Sequence, residues 1–158
     1  TGYVAVHACG RASFRQAQLM SPLTEAGMLT RGPCVGQPIT GLVVHYFAAV
    51  DRMDLEATLD CFTADARVTI ATFDTLYRGR DSEIRGMYSR LFGRYSSVWH
   101  GDFDHVVAAP LRIASQFTVR NVSPQGTVTV KHNCNFFRLY EGRICDMSVY
   151  MSGDNSLG

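Results

Sequence analysis

Charge is scarce in this sequence. Charged side chains make up 18% of its 158 residues and the formal net charge is only +1, against roughly 25% charged residues in an average soluble domain. A chain so near neutrality builds no field that gathers nucleic acid or an acidic membrane surface. Few surface charges also imply that some surface is covered, by a second subunit or by the chain itself. No run approaches the roughly 18 apolar residues of a membrane span. Glycine-rich phosphate loops of the GxGxxG or P-loop kind are missing, as are heptads, internal repeats and low-complexity tracts. The five cysteines, Cys9, Cys34, Cys61, Cys134 and Cys145, are odd in number and none stands in CxxC spacing. Neither a disulfide framework nor a zinc site is therefore expected, and thiols in a reducing cytoplasm are the reading. The opening TGYVAVHACG carries neither the basic start nor the long apolar run of a secretory signal, and is read as a trimmed start.

Hydrophobic residues, at 46%, are ample for a packed core, and the length suits one domain. Residues 1–37 differ from the rest. They are rich in small residues, Gly and Pro, with only a weak helical pattern near Phe14–Met20. They are read as an N-terminal arm, and residues 38–158 as the folded domain.

Within that domain Leu42, Val43, Tyr46, Phe47 and Val50 recur at helical spacing. Asp54 is a good N-cap for a second helix with Leu55, Leu59 and Phe62 on one stripe. ARVTIATF (66–73) alternates and reads as a strand, and TLYRGR turns the chain. Asp81 or Ser82 is expected to cap a third helix in which Ile84, Met87, Tyr88, Leu91 and Phe92 face inward and which Gly93 stops. The period then changes from 3.6 to 2. Strands are expected at 96–108, 111–121, 127–140 and 143–152, punctuated by Pro110, NVSPQG and Glu141-Gly142. Helices first and a meander last give an α+β layout, with the helices on one face of a curved, mainly antiparallel sheet.

Both faces of TVTVKHNCNFFRLY (127–140) mix polar and apolar groups, where a sheet with one solvated face alternates cleanly. A ligand cavity on one side and a subunit interface on the other fit that pattern. An exposed Val128–Val130–Phe136 stripe would be an association hazard, so a homodimer through the outer sheet face is expected. Met147, Val149 and Met151 alternate on the last strand and face either the cavity or plain core. Trp99 is expected to point away from His100. Asp102 and Asp104 share the alternation of His100 if the strand is regular, and are placed at its open end. His7, His45, His105 and His132 read as surface or interface residues.

The stretch GLVVHYFAAVDRMDLEATLDCFTADARV, followed by a short hairpin, YRGRDSEIRGMYSRL and a late EGRICDMSVYMSGDN, resembles the cone-shaped α+β barrel of nuclear transport factor 2-like proteins. It is similar within that superfamily to ketosteroid isomerases, scytalone dehydratase, bile-acid dehydratase and the SnoaL-like polyketide cyclases. The resemblance covers about residues 39–155. It implies a fold that serves many activities. Tyr46 falls on the oxyanion-binding tyrosine of the isomerases and Tyr88 on a supporting tyrosine. The isomerase base is replaced by Ile70, and its second oxyanion donor by Asn135. The dehydratase pattern fits better: Asp51 falls on an aspartate that orients a catalytic histidine, and His100 on that histidine. Asn133 and Asn135 fall on a serine and an asparagine of scytalone dehydratase. The counterpart of its second histidine lies in SQFTVR, with Gln116, Thr118 and Arg120 all open.

The resemblance thus implies a cofactor-free, metal-free enzyme acting on a small apolar molecule in an internal cavity. His100, oriented by Asp51, would be the general base. Tyr46 with Asn133 or Asn135 would donate to the developing oxyanion. Tyr88, Ile70, Met147, Val149 and Met151 are expected to complete the pocket. A non-catalytic binding protein of the same fold is the competing expectation.

Overall fold

Helix α1 (Ile39–Asp51) begins the part of the chain that the computed structural model describes, residues 39–108 and 111–158. The arm, its expected helix, Cys9, Cys34, His7 and Pro110 lie outside the described residues. On α1, Val43, Tyr46, Phe47, Ala49 and Val50 are buried, the stripe that three- and four-residue spacing dictates. Met53, with φ of 54°, turns the chain into α2 (Leu55–Asp60). Asp54 caps that helix, its Oδ1 accepting from the Ala57 N–H at 3.0 Å.

Strand β1 (Phe62–Ile70) starts earlier than the alternation suggests and ends earlier. Residues 71–73 close instead as a tight 3₁₀ turn, and Asp74 takes a left-handed φ of 49°. Thr75–Arg78, expected only as a turn, is strand β2, paired antiparallel with β1. Four residues are too few to display a period. Neither Asp81 nor Ser82 caps the third helix. The chain first winds through a wide helical turn, Gly79–Ile84, that runs straight into α3 (Arg85–Arg94). Glu83 accepts the Arg78 N–H at 2.7 Å and the Ser82 hydroxyl donates back to the Arg78 carbonyl. Gly93 does not stop the helix, because it takes no positive φ; Arg94 is the last turn residue and Tyr95 is extended.

Strands β3 (Ser97–Val107), β4 (Arg112–Val122), β5 (Val128–Tyr140) and β6 (Arg143–Met151) form the expected antiparallel meander. The curved sheet has the order β2-β1-β6-β5-β4-β3. β1 lies parallel to β6, which returns the end of the meander to the first strand. The inner face is buried under α1 and α3. On β5, Lys131, Asn133, Asn135, Phe137 and Leu139 are buried, while Val128, Val130, His132, Phe136 and Tyr140 are exposed. The two faces of this strand are thus unequal in the single chain, where the sequence predicts two half-buried ones.

A bulge interrupts β3 between Gly101 and Asp104, with Asp102 at φ 54°. One extra residue inverts the alternation. Val98 and His100 face inward before it, and Phe103 and His105 after it. Asp102 and Asp104 therefore do not share the direction of His100, and both are exposed. Trp99, 44% exposed, points away from His100 as expected. Its indole covers Gly101 so closely that a Cβ there would stand 2.1 Å from Trp99 Cζ2. Gly101→Ala should push the indole of this sole tryptophan into water. The expected result is a red-shifted emission maximum with a stability loss of roughly 1 kcal/mol, read from fluorescence-monitored urea unfolding.

Candidate active site

The end of α1 meets the beginning of β3 through one carboxylate. Asp51 Oδ1 lies 2.6 Å from His100 Nδ1, and Asp51 Oδ2 accepts the His100 backbone N–H at 3.1 Å. Both contacts fix the imidazole relative to α1. The ring also stacks at a tilt against Phe47, with centroids 4.8 Å apart, and against Phe117 at 5.5 Å. The His100 side chain is 10% exposed and that of Asp51 24%. With an ionised Asp51, Nδ1 carries the proton and donates it, so the lone pair of the neutral ring sits on Nε2. That tautomer is the one a proton acceptor needs.

Tyr46 and Tyr88 bring their hydroxyl oxygens to 2.6 Å across the space between α1 and α3. One phenol donates to the other, which leaves a single O–H of the pair for a third group. Burial raises both phenol pKa values above the ordinary range; the hydrogen bond between them works against the shift at Tyr46. Both rings therefore stay neutral donors at any physiological pH.

A cavity of about 40 Å³ lies between the helices and the inner sheet face. Tyr46, Tyr88, His100, Asn133, Asn135, Val149 and Met151 line it. Ile70 and Met147 do not; both are packed in the core, at 0% and 1% exposed. The two asparagines differ. Asn133 Oδ1 accepts the Ser152 N–H at 3.3 Å, which leaves its amide N–H groups for a ligand oxygen. Asn135 points its Nδ2 at Met147 Sδ, 3.7 Å away, and its Oδ1 is buried without a partner.

The volume is about a tenth of a common ligand pocket. An organic ligand enters only if the lining moves. Ser156 and Leu157 belong to that lining but to no helix or strand. Their segment is held through its backbone carbonyls: Arg94 donates to Asn155 O, Tyr77 to Leu157 O and Lys131 Nζ to Asp154 O. Burial lowers the Lys131 pKa, with the Asp154 charge opposing.

On β4 the parity is the reverse of the one expected. Gln116 and Arg120 are exposed and Thr118 is half-buried on the outer side; none of the three lines the cavity. Ser115, Phe117, Val119 and Asn121 face inward. The local alternation of Phe117 and Val119 with Gln116, Thr118 and Arg120 already carries this phase, and the expectation of a polar cavity residue overrode it. The sequence also misses His105, which the β3 bulge turns inward. Its Nδ1 lies 2.8 Å from the Ser115 hydroxyl and its ring stacks on Phe103. Burial lowers its pKa, against the nearby Asp104 charge. Asn121, 1% exposed, lines the cavity with neither amide atom partnered. Among the described residues no group of His, Cys, Asp or Glu is arranged to hold a metal ion.

Residues 43–147 match the model of a family described as a SnoaL-like domain. No curated relative matches the sequence. Three solved structures illustrate the fold. A candidate polyketide cyclase from Pseudomonas putida is 21% identical, with a TM-score of 0.66, covering 77% of this chain and 96% of its own. SalBIII, an epoxide hydrolase/cyclase-like enzyme with a role in pyran ring formation in the polyether salinomycin, is 19% identical at a TM-score of 0.64, covering 72% and 90%. A protein of ketosteroid isomerase-like fold from Catenulispora acidiphila, in complex with trimethylamine, is 16% identical at 0.64, covering 73% and 88%. Likeness at these identities concerns the fold alone.

The buried phenols give a pH prediction. In the unfolded chain Tyr46 and Tyr88 ionise near pH 10, while in the fold they keep their protons to higher pH. Their contribution is complete below pH 10 and is lost as pH rises above it. Each adds a slope of up to about 1.4 kcal/mol per pH unit there. Urea unfolding between pH 9 and 11 should show a steeper alkaline loss of stability in the unmodified protein than in Tyr88→Phe.

Proposed function

We propose that this chain, which belongs to the SnoaL-like domain family, is an acid–base enzyme acting on a mid-sized apolar molecule that bears a carbonyl. The observation that carries the reading is the 2.6 Å contact between Asp51 and His100 on the wall of a cavity that also presents Tyr46. His100 Nε2 removes a proton from the carbon α to the carbonyl. Asp51 holds the ring in the accepting tautomer and stabilises the imidazolium that forms. The enolate oxygen takes a hydrogen bond from the O–H that the Tyr46–Tyr88 pair leaves over, and from the Asn133 amide. Asn135 suits this role less well, because its unpartnered atom is an acceptor. The imidazolium then returns the proton to a leaving hydroxyl or to another carbon, so dehydration, isomerisation and cyclisation share the same first step. Side chains alone carry every step.

A non-catalytic binding protein is the second reading. The cavity of about 40 Å³ does not separate the two readings, since neither a substrate nor a bound organic ligand fits without movement of the lining. Ile70 favours the second reading mildly, because the isomerase-like position carries no base. The cytoplasmic setting belongs to the proposal as well, and rests on five cysteines without paired spacing. A homodimer completes it: Trp99, Val128, Val130, Phe136 and Tyr150 are exposed apolar residues of the outer sheet face, with Phe136 and Tyr150 in edge contact at 5.7 Å. Light scattering at micromolar concentration should give twice the chain mass, and Val130→Lys should shift it towards one chain.

The deciding experiment is a turnover screen of hydroxylated aromatic ketones and steroid-like enones. For an accepted substrate, His100→Ala should lower kcat/KM by about 10²–10⁴, and Asp51→Asn should lower it with kcat more than KM affected. Turnover that survives His100→Ala removes the proposed base. Ligand binding without turnover across the screen selects the second reading. Double-bond migration in 3-ketosteroids should be very slow, because Ile70 accepts no proton.

A further inference from the structure

Asn121 has no place in the mechanism so far, although it is a costly residue. Its side chain is 1% exposed and lines the cavity, and neither its Nδ2 nor its Oδ1 has a hydrogen-bond partner. Either orientation of the amide leaves its two N–H donors and its carbonyl acceptor unmet, so the conclusion does not depend on how that amide is turned. A buried polar group without a partner destabilises a fold, whereas an apolar residue of the same shape would not. The inner face of β4 offers such residues on the same row, Phe117 and Val119. A polar side chain kept there in spite of its cost points to a ligand group that satisfies it.

The register says where that group sits. His100 pairs with Val119, and Val98 pairs with Asn121, across β3 and β4. Asn121 is thus the diagonal neighbour of His100 on one sheet face, a spacing of roughly 7–8 Å between backbones that longer side chains bridge. Both residues line the same cavity, so a group bound to the amide shares that space with the imidazole. The amide is neutral and offers both a donor and an acceptor. It therefore suits a neutral group that also has both, and a cavity of about 40 Å³ suits a small group such as a hydroxyl.

We propose that Asn121 is a specificity-determining residue that binds the hydroxyl of a β-hydroxy ketone, with Nδ2 donating to the hydroxyl oxygen or Oδ1 accepting its proton. This rests on the acid–base reading above and selects dehydration from its three outcomes. His100 Nε2 takes the proton from the α-carbon. The C–H electron pair forms the C=C bond as the β-carbon–oxygen bond breaks. The imidazolium gives its proton to the departing hydroxyl, which leaves as water at Asn121. Nothing is oxidised or reduced. The same site holds the substrate hydroxyl before the reaction and the water after it.

The test uses two probes, 4-hydroxy-4-phenylbutan-2-one and 4-phenylbutan-2-one, which differ in that hydroxyl alone. Calorimetric titration of the full chain should show the hydroxy ketone binding about tenfold tighter. In Asn121→Leu the preference should disappear, the affinity for 4-phenylbutan-2-one should persist, and the urea midpoint should rise. Asn121→Val, read in the same way, serves if Asn121→Leu does not fold. Equal binding of the two probes, binding of neither, or a preference that survives both variants overturns the proposal. So does a long-lived water contact at the Asn121 amide by NMR without any preference, which would make it a hydration site only. Formation of the enone, followed by its ultraviolet absorbance, separates the two ideas. A lost preference in Asn121→Leu with no enone formed by the unmodified protein keeps Asn121 as a binding residue and removes the catalytic reading. Enone formation unaffected by Asn121→Leu does the opposite.

Discussion

Phe47 is the point at which the helices and the sheet become one structure. Its ring, 2% exposed, touches five others: Tyr46 on its own helix, His100 and Phe103 on β3, Phe117 on β4 and Phe137 on β5. Aromatic rings bury large areas and prefer tilted or edge contacts of this kind. Seated among the inner faces of three strands, Phe47 sets the depth and rotation of α1. Tyr46 and Asp51 are on the same helix, so the same contact sets where a phenol and a carboxylate arrive. The candidate site is in this sense a by-product of how one helix is packed.

That dependence explains why the polar groups converge as they do. Asp51 ends α1 without sharing the direction of Tyr46, and it reaches β3 sideways, where it holds both the backbone and the ring of His100. A carboxylate at a helix C-terminus opposes the helix dipole, and the two contacts to His100 offset that penalty. On the other side of the cavity, α3 brings Tyr88 to Tyr46. The cavity is small because Phe47, Leu91, Phe117 and Leu157 fill most of the space between these elements. Among the polar side chains that line what remains, Asn121 and Asn135 stand out because they keep unpartnered atoms there.

Long periodic segments were legible in the sequence, and short or mixed ones were not. The α1 stripe, the Asp54 cap and the four-strand meander follow from local spacing and capping chemistry, which act over a few residues. The resemblance in the α1 and β3 segments singled out Tyr46, Asp51 and His100 before any contact between them was visible. β2 escaped because four residues carry no readable period. The third helix began differently from expectation because Glu83 and Ser82 bond the Arg78 backbone and hold a wide turn that leads straight into it.

Composition and periodicity by themselves determined that this is a near-neutral α+β chain with helices before a meander, since burial of an apolar stripe has only those periods to work with. Tertiary structure alone decided which way each polar residue faces. One bulge at Gly101–Asp104 reversed the alternation, turning His105 inward and Asp102 and Asp104 outward. The pairing of β4 with β5 put Asn121 inside and Gln116 and Arg120 outside. On a strand, a shift of a single residue exchanges the two faces completely, and where both faces mix polar with apolar groups only the neighbouring strands and the helix above fix the choice.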